Sequence, residues 1–168
     1  MYKDPIIEKL IENFEENLIQ DPGNVRYVRT YYHGDPLIIP KSNLPCICLS
    51  KDVTQITDES NAEDQHRINI YLTLVVDIRD VVEDDMENVN VGESIMWDII
   101  EGRNDDYTLR EDTVLYALRN NTSLGNNAHI DVSEALVVDY GYTLGKRGER
   151  SYAHEAYIKI PVFVNQFR

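Results

Sequence analysis

The sequence predicts an α+β fold: a mostly antiparallel sheet with helices packed on one face, extended by an arm and a long β-hairpin. Three observations predict it. From Arg67 to Arg79 the even positions Ile68, Ile70, Leu72, Leu74, Val76 and Ile78 are all apolar, and the odd positions are mostly polar. Neighbouring side chains on a strand point to opposite faces, so this stretch has one oily face and one mostly wet one. The same period returns in Tyr152, His154, Ala156, Ile158, Ile160, Val162 and Val164. Finally, residues 6–18 and 91–102 carry apolar side chains three and four apart, the spacing of helices with one buried stripe. The alternation points to antiparallel strands, because a buried parallel strand reads apolar throughout.

Each element has a local reason. Asp4 caps an opening helix and Pro5 suits its first turn. Ile6, Ile7, Leu10, Ile11, Phe14 and Leu18 form its stripe, Glu8, Glu12, Glu15 and Glu16 face water, and Asp21-Pro-Gly23 ends it. Val25 to Tyr32 has strand propensity, and His33-Gly-Asp-Pro36 turns the chain. Leu37-Ile-Ile39 lies between Pro36 and Pro40, and proline cannot donate to a central ladder. Residues 25–43 therefore read as an extended arm or edge segment. Tyr27, Arg29, Tyr31 and Tyr32 make it a candidate subunit interface. The plainer reading is a surface loop with aromatic anchors.

Leu44 to Ser50 reads as a short buried strand, and Thr54 to Asp64 as a polar loop. The long strand from Arg67 then returns as the second arm of a hairpin. Asp80, Glu83, Asp84, Asp85 and Glu87 form an acidic linker that lacks calcium-loop spacing. Val91 to Gly102 is a second helix, with Ile95, Met96, Ile99 and Ile100 inward and Gly102 as the stop; Trp97 is either a packing anchor, the favoured reading, or an interface residue. Thr108-Leu-Arg-Glu111 has the form of a capping box, so a third helix is expected from Leu109, with Val114, Leu115 and Leu118 on its apolar face. Two long strands follow, Ile130–Thr143 and Tyr152–Asn165, with Pro161 hinting at an edge. They form the long hairpin of residues 129–165, whose tip, Leu144-Gly-Lys-Arg-Gly-Glu-Arg150, is basic.

The 168 residues fit a single domain, long enough to bury about two thirds of the extended surface. Thirty acids against sixteen bases give a formal charge of −14, which disfavours general affinity for nucleic acid. It does not exclude DNA that passes by without sticking. No apolar run reaches the length of a membrane span, and Met1-Tyr-Lys-Asp-Pro5 does not begin a signal peptide. Cys46 and Cys48 share one face of a strand and are expected as reduced core residues of an intracellular product.

The motifs of catalysis and metal binding are weak. The serine elbow and the His-Glu-x-x-His pair do not occur, and His33, His66, His129 and His154 are scattered, as surface or interface histidines would be. Gly145-Lys-Arg-Gly148 lacks the spacing of a phosphate loop and joins two strands. No catalytic residue, metal ligand or cofactor is expected. Lys146, Arg147 and Arg150 instead concentrate positive charge at one tip of an acidic chain. They either keep the tip in water or meet an acidic neighbour or phosphates in a channel.

The element order, with Ile68-x-Ile-x-Leu-x-Leu-x-Val-x-Ile78 and Ala156-Tyr-Ile-Lys-Ile-Pro-Val162, resembles the tail terminator, or tail completion, proteins of long-tailed bacteriophages. The resemblance covers most of the chain and rests on element order and texture. It implies a non-enzymatic virion protein of the tail and neck, made in the host cytoplasm. Such a protein closes into a ring, typically a hexamer, on the head-facing end of the tail tube. Its partners would be copies of itself, the tail tube protein and the head–tail connector protein, with genomic DNA passing through the lumen and no membrane involved. The long arm and the extended last hairpin depart from the family pattern, leaving open a head-side adaptor or stopper. From another class, a small α+β enzyme or ligand-binding domain would use scattered groups such as His154, Glu155 and Tyr157, and would need them to converge in a pocket. A monomeric binding module using Tyr27, Tyr31 and Tyr32 is a further alternative.

Overall fold

A computed structural model describes residues 1–60, 62–77, 91–144 and 152–167. The elements run α1 (Pro5–Asn17), β1 (Thr30–His33), a 3-10 turn (Lys41–Asn43), β2 (Cys46–Ser60), β3 (Glu63–Asp77), α2 (Val91–Glu101), α3 (Val114–Asn120), β4 (Ala128–Ile130), β5 (Val138–Leu144) and β6 (Tyr152–Phe167). The six strands form one sheet in the order β1-β2-β3-β6-β4, with β5 also pairing β6. Every pairing is antiparallel except β1 with β2. The fold is α+β, with a mostly antiparallel sheet and the helices on one face.

The alternation of the central strand positions that core. Ile68, Ile70, Leu72, Leu74 and Val76 are all buried, and in β6 they meet Val162, Ile160, Ile158, Ala156 and His154 in register. Ile47 and Leu49 of β2 share the face. Ile7, Leu10 and Phe14 of α1, the inward stripe of α2, and Val114, Ala117 and Leu118 of α3 cover it. Full burial of each aliphatic side chain contributes about 1.5–3 kcal/mol. Ile78 and Arg79, the last two residues of the predicted strand, lie outside the described residues.

Helix α1 begins as expected. The Asp4 carboxylate accepts from the backbone N–H groups of Ile6 at 3.0 Å and Ile7 at 3.4 Å. It ends at Asn17, earlier than Asp21-Pro-Gly23, where the Asn17 amide donates to the Asn13 carbonyl at 2.7 Å. Helix α2 ends on Gly102, where a β-carbon would lie 2.7 Å from the Asp98 carbonyl oxygen. Its flank is tied down by alternating charges. Asp98 pairs with Arg26 at 3.1 Å and Arg110 at 2.8 Å, and Asp112 pairs with Arg110 at 3.1 Å and Arg26 at 3.4 Å.

Several expectations are corrected. Helix α3 starts at Val114, not at Leu109, because Thr113 is the cap. The Thr108 hydroxyl of the supposed capping box instead donates to Asp106 at 2.6 Å, and the Arg110 N–H donates to the Gly102 carbonyl at 2.9 Å. Leu115 is half-buried and packs against the core as expected, and Ala117 joins Val114 and Leu118 as a buried residue of the apolar face.

The polar stretch Thr54–Asp64 is not a loop. Thr54 to Asp58 of β2 pair in ladder with Ile68 to Asp64 of β3, after a register shift between Lys51 and Thr54. Residues 51–58 are exposed throughout, so pairing rather than burial makes them strand.

The stretch Ile130–Thr143 is two strands and not one. Between β4 and β5, Asp131 accepts from the Ser133 N–H at 2.9 Å and hydroxyl at 2.6 Å, and Val132 is exposed. An Asp closing such a turn on its own backbone interrupts a ladder. Pro161 sits within β6, opposite Asn69 of β3. Its carbonyl accepts from the Asp131 N–H at 2.8 Å, so its missing N–H falls on the side where β5 has ended and β4 begins. Pro161 therefore marks a local gap, not an outer strand.

The odd face, expected to be mostly wet, is dry around Cys46 and Cys48, the expected core residues. Ile39, Leu44, Cys46, Cys48, Val75 and Ala153 form a second buried cluster there, with Tyr32 packed against it. Neither cysteine is in a disulfide, and both are buried on this face.

Candidate interaction surfaces

The arm is partly edge strand and partly a cover. Thr30–His33 pairs parallel to Cys46–Leu49, so β1 is the edge of the sheet. Alternation along it splits the tyrosines between faces. Tyr31, opposite Ile47, packs against the main core. Burial pushes its hydroxyl pKa up, with Glu15 and Tyr27 adding to the effect. Tyr32, opposite Cys48, packs on the second cluster, and its hydroxyl accepts from the Asn43 amide at 2.7 Å. Both serve as anchors within the subunit. Tyr27, Arg29 and Tyr31 do converge, with Glu15, on a cavity of about 250 Å³ beside α1. Tyr32 does not join them.

After Gly34, whose φ of 92° suits glycine, the chain crosses the second face. Ile39 and Leu44 are buried there, whereas Leu37 is 82% exposed and Ile38 72%. Sequence reasoning did not single out these two. Their signal is an aliphatic pair held between prolines with no period to bury it.

A second surface lies on the helix face. Trp97, read as a packing anchor, is 46% exposed. It and Tyr140 of β5 line an open cleft of about 340 Å³, together with Glu101 and Arg103. Tyr140 pairs in register with Ala156, which places it on this face. Burial raises the Tyr140 hydroxyl pKa, and the neighbouring Glu101 carboxylate raises it further.

The groups of the enzyme reading separate. His154 is opposite Val76 on the helix face, and Glu155 is opposite Val75 on the other. Tyr157 shares the face of Glu155 and donates its hydroxyl to that carboxylate. Glu155 is fully buried, and His154 is buried as well, not a surface histidine. His33 is exposed and pairs with Glu8.

Beyond the helices the long strands continue as a wing. Val53, Ile56 and Phe167 are exposed on it. β1 pairs β2 only through Leu49, so among the described residues no strand covers the outer edge of β2 from Ser50 onward.

Lys146, Arg147 and Arg150, the phosphate-loop-like Gly145–Gly148 and the acidic run from Asp80 to Glu87 lie outside the described residues. Among the described residues no three His, Cys, Asp or Glu side chains gather as a metal site would require, and no helix is long and apolar enough to cross a membrane. No protein-family model matches the chain, and no curated protein matches it.

Proposed function

We propose that the chain is a structural virion protein that forms a ring, on its resemblance a hexamer, capping the tail tube of a long-tailed bacteriophage and joining it to the head connector. The observation that supports this reading is where the fold spends its surface. Strands of 15, 15 and 16 residues run well past the helices that cover them. Compact domains use strands of about five or six residues. The extra length leaves an exposed wing and, among the described residues, an unpaired strand edge, the kind of feature that joins subunits. The arm adds two exposed aliphatics bracketed by prolines. Unlike edges on one subunit suit head-to-tail contacts, which close into rings.

The charge supports the same role. A wall formed from subunits of net charge −14 repels the DNA backbone, so DNA passes without adhering. The work of such a protein is shape, with no bond made or broken. Added to polymerising tail tube protein of the same phage, the purified chain is expected to stop growth and leave capped ends. Tubes that grow unchanged and bind none of it would refute the proposal. Binding to the head connector while tube ends stay bare would reassign the chain to the head-side adaptor.

A further inference from the structure

We infer that the outer edge of β2 pairs with the same edge of a second copy of this chain, antiparallel, about a two-fold axis at Ile56. The inference goes beyond the ring reading and does not depend on it. The contact is two-fold and not head to tail, so it is separate from any contact that closes a ring.

The backbone fixes which groups the edge offers. The Gly34 N–H donates to the Leu49 carbonyl at 2.6 Å, so Leu49 turns its own N–H and C=O outward, away from β3. That direction alternates from residue to residue. The bulge between Lys51 and Thr54 sets one extra residue of β2 against β3, so beyond it the even positions turn outward. Thr54 and Ile56 therefore present their N–H and C=O groups at the edge, and no described strand takes them. The side chains do nothing to keep a strand away. Val53 to Thr57 carry no charge and no proline, the usual guards of an edge, and four of the five are β-branched. Ile56 is 63% exposed.

A second copy suits this edge because the wing is both the strip and the strand that lies along it. β1 covers β2 only as far as Leu49, and the ladder to β3 ends at Ser60, so the strip is as long as the wing's own end. Antiparallel pairing sets outward residues opposite outward residues. With Ile56 opposite the partner's Ile56, Thr54 lies opposite the partner's Asp58, and the partner's Ser60 comes level with Asp52, short of β1. No like charges meet, and the two exposed isoleucines cover each other on one face. Sliding two residues inward sets Asp58 beside the partner's Asp52 and drives the partner's hairpin end toward β1. Sliding two outward sets Ile56 against the partner's Asp58. The register centred on Ile56 avoids both. The helix-covered bodies then point in opposite directions from the axis. A strip this short makes a weak, reversible interface.

The full chain at rising concentration is followed by sedimentation and by amide exchange resolved residue by residue. Mass should rise toward that of a dimer, and the Thr54 and Ile56 amides should gain protection as it does. The Gln55 and Thr57 amides, already turned to β3, should change far less. Ile56→Lys sets like charges on the axis and should weaken association about tenfold or more, and Ile56→Glu likewise. Their equal mixture should recover dimers, which also shows that both are folded. Under a mild oxidant Ile56→Cys should cross-link, because hydrogen-bonded partners stand about 5.5 Å apart, within reach of a disulfide. Thr54→Cys and Asp58→Cys should each stay uncross-linked alone and cross-link when mixed. The native Cys46 and Cys48 are buried and stay out of the reaction. Should the charged variants misfold, the cysteine series decides.

A wild-type chain that stays monomeric at every concentration would overturn the inference. So would a dimer that Ile56→Lys forms equally well, or any assembly in which the Thr54 and Ile56 amides gain no protection and Ile56→Cys does not cross-link. None of these results bears on tube capping, which tests the ring reading separately.

Discussion

At the scale of single residues, local hydrogen bonding decides what the sequence pattern leaves open. Thr108 and Thr113 are both threonines ahead of an apolar run, and only one caps. Thr113 is fully buried, accepts from the Tyr116 N–H at 3.4 Å and donates to the Arg110 carbonyl at 2.8 Å. Thr113→Ala should cost about 1–2 kcal/mol in denaturant unfolding, and Thr108→Ala, at an exposed turn, less than about 0.5 kcal/mol. Equal costs would place the helix start elsewhere. Asp4 gives a pH signature. Burial acts to raise its pKa, but the Lys51 ammonium and the N–H groups of Ile6 and Ile7 outweigh burial and lower it. A carboxyl depressed in the folded state stabilises above its unfolded pKa, near 4, and loses that contribution as pH falls through the folded value. Asp4→Asn keeps an oxygen for the cap and removes the titration. Its stability should therefore fall less than wild type between neutral and acid pH, by about 0.5–1 kcal/mol because Lys51 is partly in water. The two readings of Trp97, packing anchor and interface residue, differ in what helical phase they need. Placed one residue past Met96, it is turned about 130° from the centre of the stripe that Ile95, Met96, Ile99 and Ile100 define. Size alone suggested an anchor, and helical phase argues for the surface.

At the scale of elements, burial writes itself into sequence and pairing does not. The even positions of β3 and β6 face a covered core, so their alternation announces both strands and their common face. Helices α1 and α2 are legible for the same reason. Residues 51–58 of β2 are exposed, and with no oily face there is no period to read. Its ladder to β3 comes from backbone hydrogen bonds in a hairpin that the inner halves have already set in register. The second buried face was legible only in part. Leu44, Cys46 and Cys48 follow one another at period two, but Ile39, Val75 and Ala153 join them from three other segments, and no one stretch carries the whole pattern. The two halves of the sheet should respond differently to truncation. Ile70→Ala, in the core, should cost about 2–5 kcal/mol. Ile56→Ala, on the wing, should stay within about 0.5 kcal/mol. Amide exchange should follow the same division, with Thr54 to Asp58 exchanging well before Ile70 to Val76. Uniform protection along β2 and β3 would mean that the wing is as firmly held as the core.

At the scale of the whole molecule, the subunit divides into a part that is finished and parts that face outward. The helix-covered sheet closes a core, whereas the wing, the arm tip and the aromatic cleft present strand edge or apolar surface to solvent. The tyrosines proposed for an interface belong partly to each. Tyr31 and Tyr32 lock the arm to its own subunit, and Tyr27 and Arg29 line a cavity at the rim. The separation of His154 from Glu155 and Tyr157 across the sheet removes the convergence that a pocket built on those three would need. Assembly is therefore the property that decides the role of the chain. Cryo-EM of tail tubes incubated with the chain tests it most directly. The predicted image is a rotationally symmetric ring seated on one end of each tube, its subunits joined head to tail. Bare tube ends beside isolated subunits would contradict it.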